Sequence, residues 1–317
     1  MTTAQSDTHD EPSRDTRRPR AAQQSHSIFS VPTPIKQLFD RFPLLSYPSN
    51  DLPLRAPANR NAHVLHVFST DKGALAGAPS YNPACLKWQA YLKFCGIDFK
   101  LQASNNHASP SGALPFLIPA TASGTSAGKE SKSLGLSVVP SNKLQKWGMQ
   151  NCGEGQAIQE PGDFRYEAYL SLVDLNVRRA WLYTLYLSPN FSTLAEPLYI
   201  LPTSTNPLVR LSTASTLQSA AAAELLKTSA VINADELHRQ ADEAFAALEM
   251  LLGDNEWFFG AEKPGLWDAS VFAYTHLLLD ERLSGVEGCW VDSRVRDLVR
   301  ARKGLVGHRE RILKGWF

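Results

Sequence analysis

Apolar and polar positions between residues 63 and 102 predict a strand, a helix and a second strand. His63 to Phe68 is a short apolar run rich in valine and leucine, which is typical of a buried strand. Asn82 is a good N-cap and Pro83 suits a first helical turn, so a helix is expected from Ala84 to about Cys95. Residues 97–102 then alternate apolar and polar side chains. A strand–helix–strand unit of this kind predicts two parallel strands.

A proline opens the next apolar run, which continues from Pro115 to Ile118. A proline at this point favours either the start of a strand or a cis peptide bond in a tight turn. Residues 120–135 are rich in Gly, Ser, Thr and Lys and are expected to form a mobile insertion. Residues 136–139 predict a fourth strand, and a helix follows to Trp147 with Ser141 or Asn142 as its cap.

The second half of the chain has helical periodicity. Helices are predicted at Phe164–Leu187, Leu217–Ile232, Ala234–Leu252 and Leu266–Leu279, and the last is apolar all round, as a central buried helix would be. The prolines at 189, 197, 202 and 207 are expected to interrupt the chain between the first two helices. The turn-rich stretch 151–163 marks the boundary between the two halves.

The pattern therefore predicts two domains and two N-terminal extensions. Residues 1–27 are polar without an apolar period and are expected to be a disordered tail. Residues 28–60 are hydrophobic and proline-rich, and are expected to pack on the first domain as an extended arm or to bind a partner. Residues 61–155 form the strand-containing domain and residues 160–317 the helical domain, which ends in a basic segment.

Composition narrows the function classes. The net charge of +1 gives no general bias toward nucleic acid or membranes. The four cysteines have neither a CxxC pair nor zinc-ligand spacing, which favours a reducing compartment. The sequence has no apolar stretch that is long and uncharged enough to predict a transmembrane helix. Between residues 294 and 314, six Arg and two Lys stand against two acidic residues. This segment predicts either a solvated final helix or contact with anionic lipid or an acidic partner.

The strand–helix–strand unit followed by Leu114-Pro-Phe-Leu117 resembles the thioredoxin-like half of the glutathione-transferase fold. That resemblance implies a cis proline before the third strand and an all-α second half. In that half, Asp268 fits a carboxylate position at the start of the buried helix, with Gly265 where a Ser or Thr N-cap is usual. Asp268 is expected to accept first-turn N–H groups and to be structural rather than catalytic.

Glutathione chemistry requires a hydroxyl or thiol near the first strand–helix loop. The candidates there are Ser69, Thr70, Ser80, Tyr81 and Cys85. Cys85 lies in the first helical turn, where the helix dipole lowers a thiol pKa, but its apolar neighbours favour a buried, inert cysteine. The Glu/Gln-Ser pair of transferases is missing after the fourth strand, and Glu130-Ser131 lies in the insertion. We therefore predict no catalytic, cofactor-binding or metal-binding residues.

The histidines do not suggest a metal site either. His63 and His66 lie on opposite faces of the first strand and cannot share an ion. His238, His276 and His308 are isolated in the sequence and are expected to be ordinary surface or core residues.

Three segments carry a closer resemblance, to the metaxin family. Residues 82–97, 114–117 and 268–274 are similar to metaxin motifs, and the prolines and aromatics of 29–57 resemble the fungal smaller, peripheral metaxin-like subunit. The resemblance implies a non-enzymatic subunit of the sorting and assembly machinery (SAM complex) on the cytosolic face of the mitochondrial outer membrane. Its implied partners are a β-barrel core subunit, a second metaxin-like subunit and β-barrel precursors, with peripheral membrane contact and no nucleic acid. The alternatives are a glutathione-transferase-like enzyme and a metaxin-like adaptor on another membrane.

Overall fold

A four-stranded mixed sheet forms the first half of the described chain. Its strands are β1 (His63–Val67), β2 (Phe99–Ala103), β3 (Phe116–Ile118) and β4 (Val139–Pro140), in the order β2-β1-β3-β4. β1 runs parallel to β2, with His63 opposite Phe99, while β3 is antiparallel to both β1 and β4. The predicted parallel pair is confirmed. The Leu114–Pro115 bond is cis, as the transferase resemblance implies.

The computed structural model describes residues 61–120, 138–153, 158, 165–281, 283 and 290–317. The tail predicted for 1–27 and the arm predicted for 28–60 lie outside the described residues, as does the predicted insertion from residue 121 onward. β4 begins later than the predicted strand, whose residues 136 and 137 are likewise outside the described part.

Helices flank the sheet and make up the rest of the described chain. They are α1 (Asp71–Leu75), α2 (Pro83–Phe94), α3 (Leu144–Gln150), α4 (Arg165–Leu172), α5 (Arg178–Leu182), α6 (Pro207–Leu226), α7 (Ala234–Leu252), α8 (Leu266–Leu279), α9 (Arg294–Arg300) and α10 (Lys303–Trp316). Three π-helical segments accompany them, at Val173–Val177, Tyr183–Leu187 and Phe191–Ile200. Short 3₁₀ turns occur at Asn106–Ala108, Ser141–Lys143 and Phe258–Gly260.

The start of α2 follows directly from its sequence. The side-chain oxygen of Asn82 accepts a hydrogen bond from the backbone N–H of Cys85 at 3.2 Å, and Pro83 occupies the first turn. Gly96 follows the helix with a positive φ of 66°, a conformation that glycine adopts without steric cost. The predicted N-cap, first turn and end of this helix are therefore confirmed.

Two predicted helix starts were wrong. Neither Ser141 nor Asn142 caps α3 with its side chain, because the chain enters that helix through a 3₁₀ turn in which the N–H of Leu144 bonds the carbonyl of Ser141. α6 begins at Pro207, ten residues before the predicted Leu217, and ends before the predicted Ile232. Asn206 caps it by accepting the N–H of Leu208 at 2.9 Å, so Pro207 starts this helix instead of breaking the chain.

The remaining helical predictions fared better. α7 and α8 have the predicted bounds. The predicted helix 164–187 is a continuous helical run from Arg165 that includes two π-helical segments. Pro197, a predicted break, instead lies inside the third π-helix. The i→i−5 bond from Leu201 to Glu196 spans that proline, so the wider π turn tolerates its missing N–H.

α8 is the central helix, and one buried carboxyl group organises its start. The Asp268 side chain is 2% exposed. Its Oδ2 accepts the N–H of Gly265 at 2.9 Å, while Oδ1 accepts the N–H of Phe258 at 3.1 Å and lies 3.0 Å from Nε2 of His308. Gly265 is the N-cap as predicted, and because it has no side chain only the Asp268 half of a capping box exists. His308 is a core residue, as expected, but the sequence did not predict its contact with Asp268.

The final helix, α10, packs against α2. The Lys93 ammonium donates to the carbonyl of Trp316 at 2.6 Å and lies 4.4 Å from the centroid of the Phe317 ring. The Phe94 and Trp316 rings meet edge to face at 4.9 Å. α2 also packs along α8, so it contacts both the core helix and the last helix of the second half.

Four of the eight basic residues between 294 and 314 form ion pairs within the molecule. Arg294 pairs with Asp292, Arg296 and Arg300 with Glu281, and Arg302 with Asp242. Val295, Val299 and Leu305 are buried and Leu298 is partly buried, as in a final helix that turns its apolar side to the core and its Arg side chains to solvent. Exposed ion pairs add little stability, but they do reduce the positive charge left for an anionic surface. Among the helices that the structure describes, none combines the length and apolar character needed to cross a membrane.

Replacing Asp268 with Asn tests the buried contact. We expect Asp268→Asn to lower the free energy of unfolding by about 3 kcal/mol, because an amide cannot accept all three contacts and leaves a buried polar group unsatisfied. Urea unfolding followed by circular dichroism measures this. The matched control, Asp98→Asn, changes an exposed carboxylate and should stay within about 0.5 kcal/mol of wild type. Equal stability of the two variants would contradict the role assigned to Asp268.

His276 should make the fold sensitive to acid. Burial, and secondarily the nearby Arg309, lowers the pKa of His276 to about 3, against about 6.5 in an unfolded chain. As the pH falls, the unfolded chain therefore protonates His276 before the folded chain does. The contribution of His276 to the free energy of unfolding is complete above about pH 6.5 and is lost as the pH drops toward 3. Urea unfolding between pH 6 and 4 should show a slope for His276→Leu that is smaller by about 1.4 kcal/mol per pH unit. The exposed control His107→Gln should retain the wild-type slope.

Candidate functional site

The region where a transferase would bind glutathione lies where β1 and β2 end and α2 begins. Ligands of open α/β sheets bind outside the carboxyl ends of the strands. Here a cavity of about 430 Å³ occupies part of that region. Its walls come from the residues after β1 (68–71), Tyr81, the end of β2 with the two residues after it (103–105), and the π-helical segment and turn at 197–203.

Aromatic side chains cover the N-terminal end of α2. Tyr199 meets both Phe68 and Tyr81 edge to face, with ring centroids 5.2 Å apart in each pair. The Tyr81 hydroxyl donates to the carbonyl of Leu198 at 3.1 Å, and the Tyr199 hydroxyl donates to the carbonyl of Tyr81 at 3.3 Å. These reciprocal bonds fasten the helical half over the first strand–helix loop.

The backbone donors at this helix start are also largely committed. Pro83 has no N–H, and the N–H of Cys85 is bonded to Asn82. The Asn82 amide nitrogen donates to the Tyr199 hydroxyl at 3.3 Å, which places the aromatic cover directly over the cap. A helix start can bind an anion through exposed N–H groups. At the start of α2, by contrast, the cap residue Asn82 and the covering residue Tyr199 bond to each other and to the protein backbone.

Cys85 is a buried cysteine, as its apolar neighbours indicated. Its side chain is completely enclosed, and burial raises its pKa to about 12. Hydrogen bonds to the Cys85 sulfur from the Phe68 backbone and the Ser80 side chain lower the pKa, but they do not outweigh burial. The position at the helix start therefore does not produce a thiolate at neutral pH.

Burial acts on the tyrosine hydroxyls in the same direction. Burial raises the pKa of Tyr186 to about 12, and burial is also the main cause of the raised pKa values of Tyr81 and Tyr199. Neighbouring acidic groups, Cys85 and Tyr186 among them, raise the Tyr81 pKa further. The Tyr81 and Tyr199 hydroxyls act as hydrogen-bond donors to the backbone.

The three candidate hydroxyls of Ser and Thr all make local contacts. Ser80 Oγ donates to the carbonyl of Phe68 at 2.6 Å, and Ser69 Oγ donates to the carbonyl of Thr70 at 3.2 Å. Thr70 Oγ1 accepts the N–H of Gly73 at 3.0 Å and thereby caps α1. Ser69 and Thr70 line the cavity, while Ser80 is buried beneath it.

Sequence reasoning missed Tyr199, which dominates this region. It comes from the helical half, more than 100 residues from the loop that it covers. An aromatic residue two positions after Pro197 carries no local signal of such a contact. Glu130-Ser131, the other transferase-like pair, lies outside the described residues.

The histidines also have separate partners. His63 contacts Trp147 edge to face and accepts the N–H of Ala120, whereas His66 stacks on Phe116. His238 and His276 are buried core residues. Over the described part of the chain, no three His, Cys, Asp or Glu side chains come together as a metal site would require.

Comparison with known sequences identifies two matching family profiles. The profile described as "Glutathione S-transferase N-terminal domain" matches residues 83–191, and the one described as "Glutathione S-transferase, C-terminal domain" matches residues 241–312. None of the curated protein sequences searched matches the chain.

Ninety solved chains resemble the structure. Glutathione transferase GSTFuA3 from Phanerochaete chrysosporium is 12% identical with a TM-score of 0.44, covering 78% of this chain and 98% of its own. A glutathione S-transferase from Methylobacterium radiotolerans, in complex with glutathione sulfonate, is 15% identical with a TM-score of 0.40, covering 80% and 90%. Ure2p in complex with glutathione is 10% identical with a TM-score of 0.38, covering 89% and 94%.

The two profiles match successive parts of the chain in the order of the two domains described above. The first half has the thioredoxin-like strand order and the cis proline before β3, and the second half is helical. This chain has a glutathione-transferase-like fold, with a thioredoxin-like N-terminal domain and a helical C-terminal domain.

Proposed function

We propose that this chain is a non-enzymatic, peripheral subunit of the mitochondrial outer-membrane sorting and assembly machinery. On the cytosolic face it would help a β-barrel core subunit and a second metaxin-like subunit receive and insert β-barrel precursors. The observation that carries the non-enzymatic part is the aromatic cover on the start of α2. It occupies the place where a transferase presents its thiolate-stabilising group, and it leaves Cys85 buried and protonated.

The resemblance to metaxins supports the choice of machinery. Its three segments correspond to α2, to the turn and strand at 114–117, and to the first half of α8. α2 packs against α8, so two of the three segments form the contact between the halves of the fold. The resemblance therefore lies in residues that build a scaffold, in keeping with a protein that acts through its surfaces.

The purpose of such a subunit follows from the chemistry of its cargo. A β-barrel precursor that has not yet closed exposes backbone groups that lipid cannot satisfy. A protein on the cytosolic side can hold such segments until the core subunit pairs them.

A transferase-like enzyme is the competing hypothesis, favoured by the family profiles and the 430 Å³ cavity. A metaxin-like adaptor on another membrane is the third.

A pull-down from mitochondria in mild detergent tests the assignment. We expect the tagged chain to recover an outer-membrane β-barrel assembly protein and a second metaxin-like chain, identified by mass spectrometry. Cys85→Ala should recover the same partners, because the thiol has no chemical role, and immobilised glutathione should retain neither protein. Retention on glutathione without either partner would overturn the proposal in favour of an enzyme. Recovery from a different membrane would favour the adaptor.

Native thiol labelling tests the closed site separately. With a pKa of about 12, only about one Cys85 thiol in 10,000 is ionised at pH 8. We expect iodoacetamide at pH 8 to alkylate the half-buried Cys152 and to spare Cys85 until denaturant is added. Tyr199→Ala should speed Cys85 labelling by thinning the cover. Labelling of Cys85 in the native protein at the rate of Cys152 would contradict the closed arrangement.

A further inference from the structure

Two cysteines meet at the crossing of α2 and α3. Cys95 is the C-cap of α2, and Cys152 follows the end of α3. The helices approach closely at Gly148, where a Cβ atom would lie 3.0 Å from Tyr91 Cε1 and 3.6 Å from the Cys95 sulfur. Only glycine fits this approach without displacing the buried Tyr91 ring, so the crossing itself brings the Cys95 sulfur against Gly148.

Cys152 lies against the same glycine. Its Sγ donates to the Gly148 carbonyl at 3.2 Å. The next residue, Gly153, donates its backbone N–H to the Cys95 carbonyl at 3.2 Å. A Cα lies about 2.4 Å from its own carbonyl oxygen and from the next nitrogen, so the Cα atoms of the two cysteines are at most about 8 Å apart. The Cα–Cα distances that disulfides span, roughly 4.4–6.8 Å, lie below this upper limit.

We propose that Cys95 and Cys152 form a reversible disulfide when the protein meets hydrogen peroxide. Both are thiols in the structure. The half-buried Cys152 thiolate attacks peroxide and becomes a sulfenic acid, releasing hydroxide. Cys95, whose thiol is buried beside it, then attacks that sulfur while its proton passes to the leaving hydroxide, which departs as water. The net reaction converts two thiols and one peroxide into a disulfide and two waters.

The other described cysteine does not compete. Cys85 lies ten residues before Cys95 on the same helix, about 15 Å along its axis. The Cys95–Cys152 bridge would close a loop containing β2, β3, β4 and α3. It would join the end of α2 to the point where the chain leaves the thioredoxin-like domain. This oxidation site is independent of the proposed role in membrane-protein assembly.

The test oxidises the full-length protein with a modest excess of hydrogen peroxide at pH 7.5. Remaining thiols are blocked with N-ethylmaleimide under denaturing conditions, and peptides are analysed by mass spectrometry without reduction. We expect two of the four thiols to be lost and one cross-linked peptide pair to contain Cys95 and Cys152. Dithiothreitol should restore both thiols, and the oxidised form should have a Tm higher by about 5 °C.

Serine substitutions assign the bridge. Cys152→Ser and Cys95→Ser should each abolish both the cross-link and the Tm rise, whereas Cys85→Ala and Cys289→Ser should keep them. If Cys95→Ser disturbs folding, the less buried Cys152→Ser carries the test alone. Sulfinic or sulfonic acid at Cys152 with no cross-link would overturn the proposal. So would cross-links that survive in Cys152→Ser.

Discussion

The buried carboxyl group of Asp268 is the constraint on which the second half of the fold depends. It holds the start of α8 through Gly265, the preceding turn through Phe258 and the last helix through His308. These three partners are distant in sequence or belong to different elements, so one side chain fixes their relative positions. Burying such a group is costly unless its hydrogen bonds are made. The rings of Trp257 and Phe258 pack around His308, which excludes water and strengthens the contact.

The closed start of α2 follows from the same packing. α8 packs the helical half against α2, and in this arrangement the segment 191–200 lies over the first strand–helix loop. Tyr199 then bonds to backbone and cap groups that an exposed site would offer to a ligand. Enclosure raises the pKa of the nearby thiol and hydroxyls, and the Tyr81 and Tyr199 hydroxyls donate to backbone carbonyls. The fold resembles a transferase, while the chemistry of this end is that of a packed interface.

Local patterns predicted most of the fold, and they failed where long-range contacts decide. The Asn82–Pro83 start, the bounds of α7 and the apolar α8 follow from capping and periodicity. Asn206–Pro207 has the same form as Asn82–Pro83, but the neighbouring prolines led to its interpretation as a break. The partner of His308 lies 40 residues away and that of Tyr199 more than 100, so no local signal reveals either. The sequence therefore identified Cys85 and the nearby hydroxyls as candidates but not Tyr199, which covers the start of α2.

α2 is the element that contacts all of these features. Its first turn lies under Tyr199, its length packs on α8, and Lys93 and Phe94 meet the last helix near its end. Its C-cap residue, Cys95, lies at the crossing with α3. A rigid helix held at all these points cannot shift at one end without disturbing contacts elsewhere, because packed interiors have little free volume to absorb movement. A covalent change beside Gly148 would act on the same helix that holds the two domains together.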